Sequence, residues 1–172
     1  MLVERGWAAT TSVAVCDRAG LTRGALLHHH NGLSELLADA LQRLYDRYAA
    51  NIVDPNSLVE TVDAIWAVAG DRTFKAAIEA WMATGNDPEL ASALGPVIAD
   101  FAKLVHPDQR LVPALTGGND HAVTFVLTAR EAMLGLALGR ATTGGQPLPH
   151  EARVLDHLRA DAARIDATID PN

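Results

Sequence analysis

Cysteine is almost absent from this chain of 172 residues. Cys16 stands alone, so no internal disulfide framework can form. It lies between Val15 and Asp17 in an apolar-periodic stretch, where a small buried core residue is expected rather than a redox switch. Aromatic residues are scarce too, at 5%. No apolar run approaches the ~20 residues that span a bilayer. The start, Met1-Leu-Val-Glu-Arg-Gly, lacks the charged-then-apolar layout of a secretory signal. A cytoplasmic protein with no membrane partner is therefore expected. Strand-type alternation and internal repeats are missing as well.

Positive charge is in short supply. Fourteen Lys and Arg face 21 Asp and Glu, a net charge of −7. A protein that coats nucleic acid non-specifically is usually basic, so the balance argues against that role for the whole chain. It leaves room for a small DNA-reading head on an acidic body. Residues 1–30 hold Arg5, Arg18 and Arg23 against Glu4 and Asp17, a net +1, with His28, His29 and His30 at the end.

Catalytic signatures are missing. There is no Gly-rich phosphate loop, no G-x-S-x-G and no paired-cysteine motif. Consecutive helical residues point about 100° apart, so the three adjacent histidines cannot converge on one ion. His150 and His157 are two turns apart, too far for a helical zinc pair. No enzyme, metal or cofactor is expected.

Hydrophobic residues make up 49% of the chain and recur at helical spacing nearly everywhere. From residue 33 to 52, Leu33, Leu36, Leu37, Ala40, Leu41, Leu44, Tyr45, Tyr48 and Ile52 share one face, with charged and polar residues opposite. Asp54-Pro55 and Asp87-Pro88 each read as an N-cap carboxylate before a first-turn proline. The first opens a helix through Leu58, Val62, Ile65, Trp66 and Ala69, stopped by Gly70. Another face holds Phe74, Ala77, Ile78, Trp81 and Met82. The helix after Asp87 carries Leu90, Leu94, Val97, Ile98, Phe101 and Leu104, with a kink or break expected at Gly95-Pro96. Residues 106–119 read as a loop. Asn119-Asp120 then caps a helix to about Arg140 that is apolar almost all round and must be covered on more than one side. A last helix begins at Pro149 or His150, with Val154, Leu155, Leu158, Ala162 and Ile165 as its stripe.

The segment richest in chemistry is residues 10–37. Ser12 to Arg18 reads as a short helix with Val13, Ala14 and Cys16 inward. Gly20 tolerates the positive φ that ends it, and Thr22 caps a second short helix running to about His29. Such a helix-turn-helix can place its second helix in the major groove. Thr22 and Arg23 stand where side chains reach base edges or phosphates, and Gly24 and Ala25 are small enough for close backbone approach. Thr11 can offer its hydroxyl and amide to phosphate, and His28 and His29 can donate at the far end.

The stretch GWAATTSVAVCDRAGLTRGALLHHHNGLSELL resembles the DNA-binding signature of the TetR family of one-component transcriptional regulators. The shared pattern is a G-[FY]-x-x-T-[ST] entry, an A-x-x-A-G-[VL]-[ST]-x-[GP] turn, a [LI]-Y-x-[HY]-F exit and K-E-x-L. The resemblance implies an all-α protein: an N-terminal helix-turn-helix DNA-binding head (residues 1–50, linked by the long helix 33–52), then a larger helical ligand-binding and dimerisation domain (residues 51–172). It implies operator DNA, a small-molecule effector and a second copy of the chain as partners, with repression relieved by the effector. The departures are specific. The family usually carries a further helix before the position of Met1, so an upstream start is expected. Leu27 stands where a phosphate-binding tyrosine is usual, His30 where an aromatic is usual, and Leu33 where a lysine is usual. Each lost phosphate contact lowers affinity.

By the same resemblance, the effector site lies among the middle helices, with Trp66, Phe74, Ile78, Trp81, Met82, Phe101, Phe125, Thr128 and Met133 as its candidates and a hydrophobic or aromatic compound as its occupant. Arg130 and Glu131 are expected to face solvent or the second subunit, and the two C-terminal helices to form a dimer interface. The rival reading is a helical ligand-sequestering or partner-binding protein that has lost DNA recognition.

Overall fold

In the computed structural model, residues 1–51, 55–104 and 115–169 are described. Ile52 and Asp54, the side chain of Leu104 and most of the 106–119 loop lie outside them. The described residues form an all-α protein. In chain order the helices are α1 (Leu2–Arg5), α2 (Ser12–Ala19), α3 (Arg23–His29), α4 (Leu33–Asn51), α5 (Leu58–Ala69), α6 (Phe74–Thr84), α7 (Pro88–Leu104), α8 (Asp120–Thr142) and α9 (Glu151–Ile169). They belong to two compact units. One comprises Met1–Ala50 and Lys75–Ala102, the other Asn51–Phe74 and Lys103–Asn172.

In the first unit, α4 buries Leu37, Ala38, Leu41, Leu44 and Tyr45, α6 buries Ala76, Ala77, Ile78 and Ala80, and α7 buries Leu90, Leu94 and Phe101. Ala38 takes the place expected of Ala40, which is exposed. Asp87 caps α7 as the sequence suggests, its Oδ1 accepting from the Leu90 amide at 3.0 Å. Of the kink or break expected near Gly95, the break does not occur: α7 runs through Pro96. Pro96 forfeits one backbone bond, to the carbonyl of Ser92. Ser92, Gly95 and Pro96 are all exposed, so water can satisfy that carbonyl while Leu94 and Phe101 anchor the helix on either side.

The second unit is a three-helix core. Leu58 and Val62 of α5 meet Phe125, Val126, Ala129 and Met133 of α8 and Leu155, Leu158, Ala162 and Ile165 of α9. The cap of α5 is Ser57, not Asp54: its Oγ accepts from the Glu60 amide at 3.1 Å. Asp166 of α9 reinforces that end, accepting from the Leu58 amide at 2.9 Å and the Val59 amide at 3.3 Å. Farther along, Arg159 of α9 donates to Asp63 of α5 at 2.8 Å. The two helices are therefore antiparallel and tied at successive turns.

At the other end of α5, Arg140 gathers the unit. Its Nε donates to Glu151 Oε2 at 2.6 Å and its Nη1 to the Gly70 carbonyl at 3.0 Å. Its guanidinium also lies 4.9 Å above the Trp66 ring. Gly70 is required by proximity, since a Cβ there would stand 2.9 Å from the Trp66 carbonyl oxygen and 3.0 Å from its ring. Glu151 is buried, and the Arg140 hydrogen bonds hold its carboxyl below the usual carboxylate range.

Among the described residues, α8 is the one helix long and apolar enough to cross a membrane by length and composition, although Arg130 and Glu131 interrupt its apolar run. Seven of its side chains are buried in the unit's core. Its remaining apolar residues are less covered: Leu127 and Leu134 are half-buried and Leu138 is 42% exposed.

Arg140→Ala should cost about 3–5 kcal/mol at pH 7, because it strands a buried carboxylate. Arg140→Met combined with Glu151→Leu should recover most of that loss. Glu151 has a depressed folded-state pKa, so its contribution is present above pH 4.5 and disappears as pH falls through the folded value. Urea denaturation followed by circular dichroism at pH 7 and pH 4 checks both. Equal midpoints for wild type and Arg140→Ala at pH 7 would refute the clamp.

Candidate nucleic-acid interface

The N-terminal segment is held by short-range chemistry. Gly6 adopts φ 75°, and the Thr10 hydroxyl donates to its carbonyl at 2.9 Å. The Trp7 amide donates to Glu79 Oε2 of α6 at 2.7 Å, and Lys75 pairs with the same carboxylate at 3.0 Å. Arg18 of α2 is paired with Glu4 of α1, its Nη2 donating to Oε1 at 2.9 Å. The arginine holds the Glu4 carboxyl below its ordinary value. Both groups are exposed, so the pair adds little stability, but much of the charge of Arg18 is already matched.

Thr11 and Thr22 are the caps of α2 and α3. The Ala14 amide donates to Thr11 Oγ1 at 3.2 Å and the Ala25 amide to Thr22 Oγ1 at 3.1 Å. Between the two helices Gly20 is left-handed at φ 65°, ψ 28°, and the Leu21 amide donates back to the Cys16 carbonyl at 3.0 Å. This is a Schellman-type stop, and a β-carbon at Gly20 would be strained whatever the space around it. α2 packs against α3, with Cys16 and Leu26 buried and Ala14 half-buried. Val13 was expected inward but is 63% exposed. A helix of eight residues buries only the few positions that meet its neighbours.

The outward surface of α3 is formed by Arg23, Gly24, Leu27, His28 and His29, all exposed, with Ala25 half-buried beside them. Arg23 has no partner among the described residues. A Cβ on Gly24 would meet only Thr22 Oγ1, at 3.8 Å, so nothing among the described residues requires glycine there. What it permits is close approach from outside. The helix ends at His30, whose Nδ1 lies 3.6 Å from Asp39 Oδ2. The Asn31 amide, just beyond, donates to Glu35.

The nine effector candidates divide between the units. Ile78, Trp81, Met82 and Phe101 belong to the first, and Trp66, Phe74, Phe125, Thr128 and Met133 to the second. In the second, Phe125 and Met133 are in the core, Trp66 lies under Arg140, and Phe74 is buried. Thr128 is exposed and donates to the Thr124 carbonyl at 2.8 Å. Arg130 and Glu131 pair with each other, Nε to Oε1, at 2.9 Å.

In the first unit, Ile78 and Phe101 are buried, Trp81 is half-buried and Met82 is 63% exposed. Sequence reasoning missed the residue that organises this group. Tyr45 is buried, stacks on Phe101 with centroids 4.0 Å apart and planes at 16°, and accepts a hydrogen bond from Trp81 Nε1 at 2.7 Å. Burial pushes its phenol up to about 12, against an opposing pull from the Trp81 hydrogen bond. A tyrosine on the inward face of a long helix was the available signal, because a buried phenol needs a polar partner. No cluster of three or more His, Cys, Asp or Glu side chains among the described residues is placed to hold a metal ion. No protein-family model, curated protein or solved structure matches the chain.

Tyr45→Phe should cost about 1–3 kcal/mol by leaving the Trp81 indole N–H without its acceptor. The wild type should also lose stability between pH 10 and about 12, where the unfolded phenol ionises before the folded one. Thermal unfolding of both proteins at pH 7, 10 and 11 tests this. A decline above pH 10 that is identical in the variant would remove Tyr45 as its source.

Proposed function

We propose that this chain is a DNA-binding transcriptional regulator of the TetR type, a repressor that leaves its operator when a small hydrophobic or aromatic effector binds. The observation that supports it most is the outward surface of α3. A short helix behind a left-handed glycine stop presents an unpaired arginine, a glycine with no internal reason to be one, and two exposed histidines. Arg23 suits a guanine edge or a phosphate, Gly24 lets backbone approach the duplex, and Thr11, Thr22, Ala25, His28 and His29 flank them. Hydroxyls that already cap helices through their lone pairs keep their protons to give to phosphate.

The fixed positive charge of the head is small, so affinity should be modest and fall steeply with salt. A symmetric regulator reads two half-sites, and the partly exposed Leu127, Leu134 and Leu138 on α8 offer an apolar surface for a second copy, with α9 alongside. Effector binding would then act as a population shift between operator-competent and operator-incompetent arrangements of the dimer, with effector and DNA opposing each other reciprocally.

The test is fluorescence anisotropy of the purified chain, and of a form extended to any upstream start, with duplexes from the DNA flanking its own coding sequence. Selective binding with a salt-dependent affinity is expected, and Arg23→Gln should weaken it by about 1–3 kcal/mol. Binding by neither form at low salt would reject DNA reading and favour a ligand-sequestering or partner-binding protein. Sedimentation should show a dimer that Leu138→Glu weakens. An unchanged monomer for both proteins would reject the α8 interface.

A further inference from the structure

The three consecutive histidines at the end of α3 are not equivalent. His30 closes the helix, is half-buried and has Asp39 of α4 beside it, so any charge it gains is matched within the chain. His28 and His29 are exposed in the last turn, with ring centroids 5.0 Å apart at 71°. Neither has a carboxylate within 4.0 Å among the described residues. The charged groups on the elements around them are mostly engaged elsewhere. On α1, Glu4 is bound to Arg18 of α2; on α4, Glu35 accepts from the Asn31 amide and Asp39 faces His30; on α7, Glu89 lies against Gly32. Asp17 of α2 is exposed, and Arg23 on α3 itself is the nearest unmatched cation in sequence.

We infer that DNA binding by this head is proton-linked: His28 and His29 take up protons as they meet phosphate, so affinity is set by pH. This rests on the DNA-reading assignment and deepens it. Residues 1–30 carry a net +1, and with Arg18 matched by Glu4 the remaining fixed cations are Arg5 and Arg23. Two protonated imidazoles would raise that net charge to +3. A neutral imidazole offers one N–H and no charge, whereas an imidazolium offers two N–H donors and a full charge to a phosphate oxygen. Histidine side chains ordinarily change charge between pH 5 and 8, a range in which the arginines and carboxylates of the head do not. Phosphate favours the protonated form, so the complex holds more protons than the free protein. Affinity therefore rises as pH falls and is lost as pH rises, and each added phosphate contact steepens the salt dependence by about 0.9 in log–log slope.

The experiment is an anisotropy titration at constant ionic strength from pH 5.5 to 8.5. It uses a duplex from the flanking DNA and a scrambled duplex, with folding checked by circular dichroism at each pH. From pH 8 to 5.5 the wild type should tighten by about tenfold to a hundredfold, for one to two protons taken up. The gain should be similar on both duplexes, because phosphate contacts carry no sequence information. The double variant His28→Gln/His29→Gln should bind with a nearly flat pH profile and a shallower salt slope at pH 5.5, while His30→Gln keeps the wild-type profile. Binding with no pH dependence, or a dependence that survives in the double variant, overturns the linkage and leaves DNA reading standing. Absence of binding at every pH overturns both.

Discussion

The second unit depends on one guanidinium. Arg140 sits near the C-terminal end of α8 and contacts α9 through Glu151, the end of α5 through the Gly70 carbonyl, and the Trp66 ring by its flat face. A planar group with five donors and a flat face can serve three directions at once. The arrangement also explains two small residues. Gly70 leaves room for the Trp66 ring, and Gly139 leaves room for Leu148, which a β-carbon would approach to 2.5 Å. Asp166 and Ser57 do the matching work at the opposite end of α5, so that helix is closed at both ends by side chains.

In the first unit the comparable role falls to an aromatic group. Tyr45 of α4, Trp81 of α6 and Phe101 of α7 meet through a stack and a hydrogen bond, and Glu79 of α6 reaches the Trp7 amide. α6 thus touches both the long helix and the segment that leads into α2.

The proposed interface is electrostatically poor by design of its sequence. The chain is acidic overall, the head carries few fixed cations, and one of these is matched by Glu4. Affinity in such a head is governed by a small number of contacts, and the loss or gain of one is felt strongly. Exposed apolar residues, Val13, Leu21 and Leu27, make up part of the remaining surface of the α2–α3 region.

How much could be read without coordinates follows the range of each interaction. The helices, the caps at Thr22, Asp87 and Asn119, and the left-handed Gly20 are local features set by neighbours within a turn, and residue order alone determined them. One cap is misplaced by residue order: Asp54-Pro55 is the local signal for α5, but Ser57 caps that helix, and Asp166 reaches the same end from 108 residues away. Facing was harder to read: Val13, Ala40 and Met82 sit on apolar stripes yet are exposed, because periodicity says which side of a helix is apolar and not how much of it a neighbour covers. The pairs that hold the units together were beyond reach. Tyr45 and Trp81 are 36 residues apart, and Arg140 and Gly70 are 70 apart. Sequence by itself determined an all-helical chain and the chemistry of α3. Only tertiary structure decided which aromatic rings meet, which arginine clamps the buried Glu151 and which histidines stay free, because those outcomes depend on contacts between segments that no periodicity records.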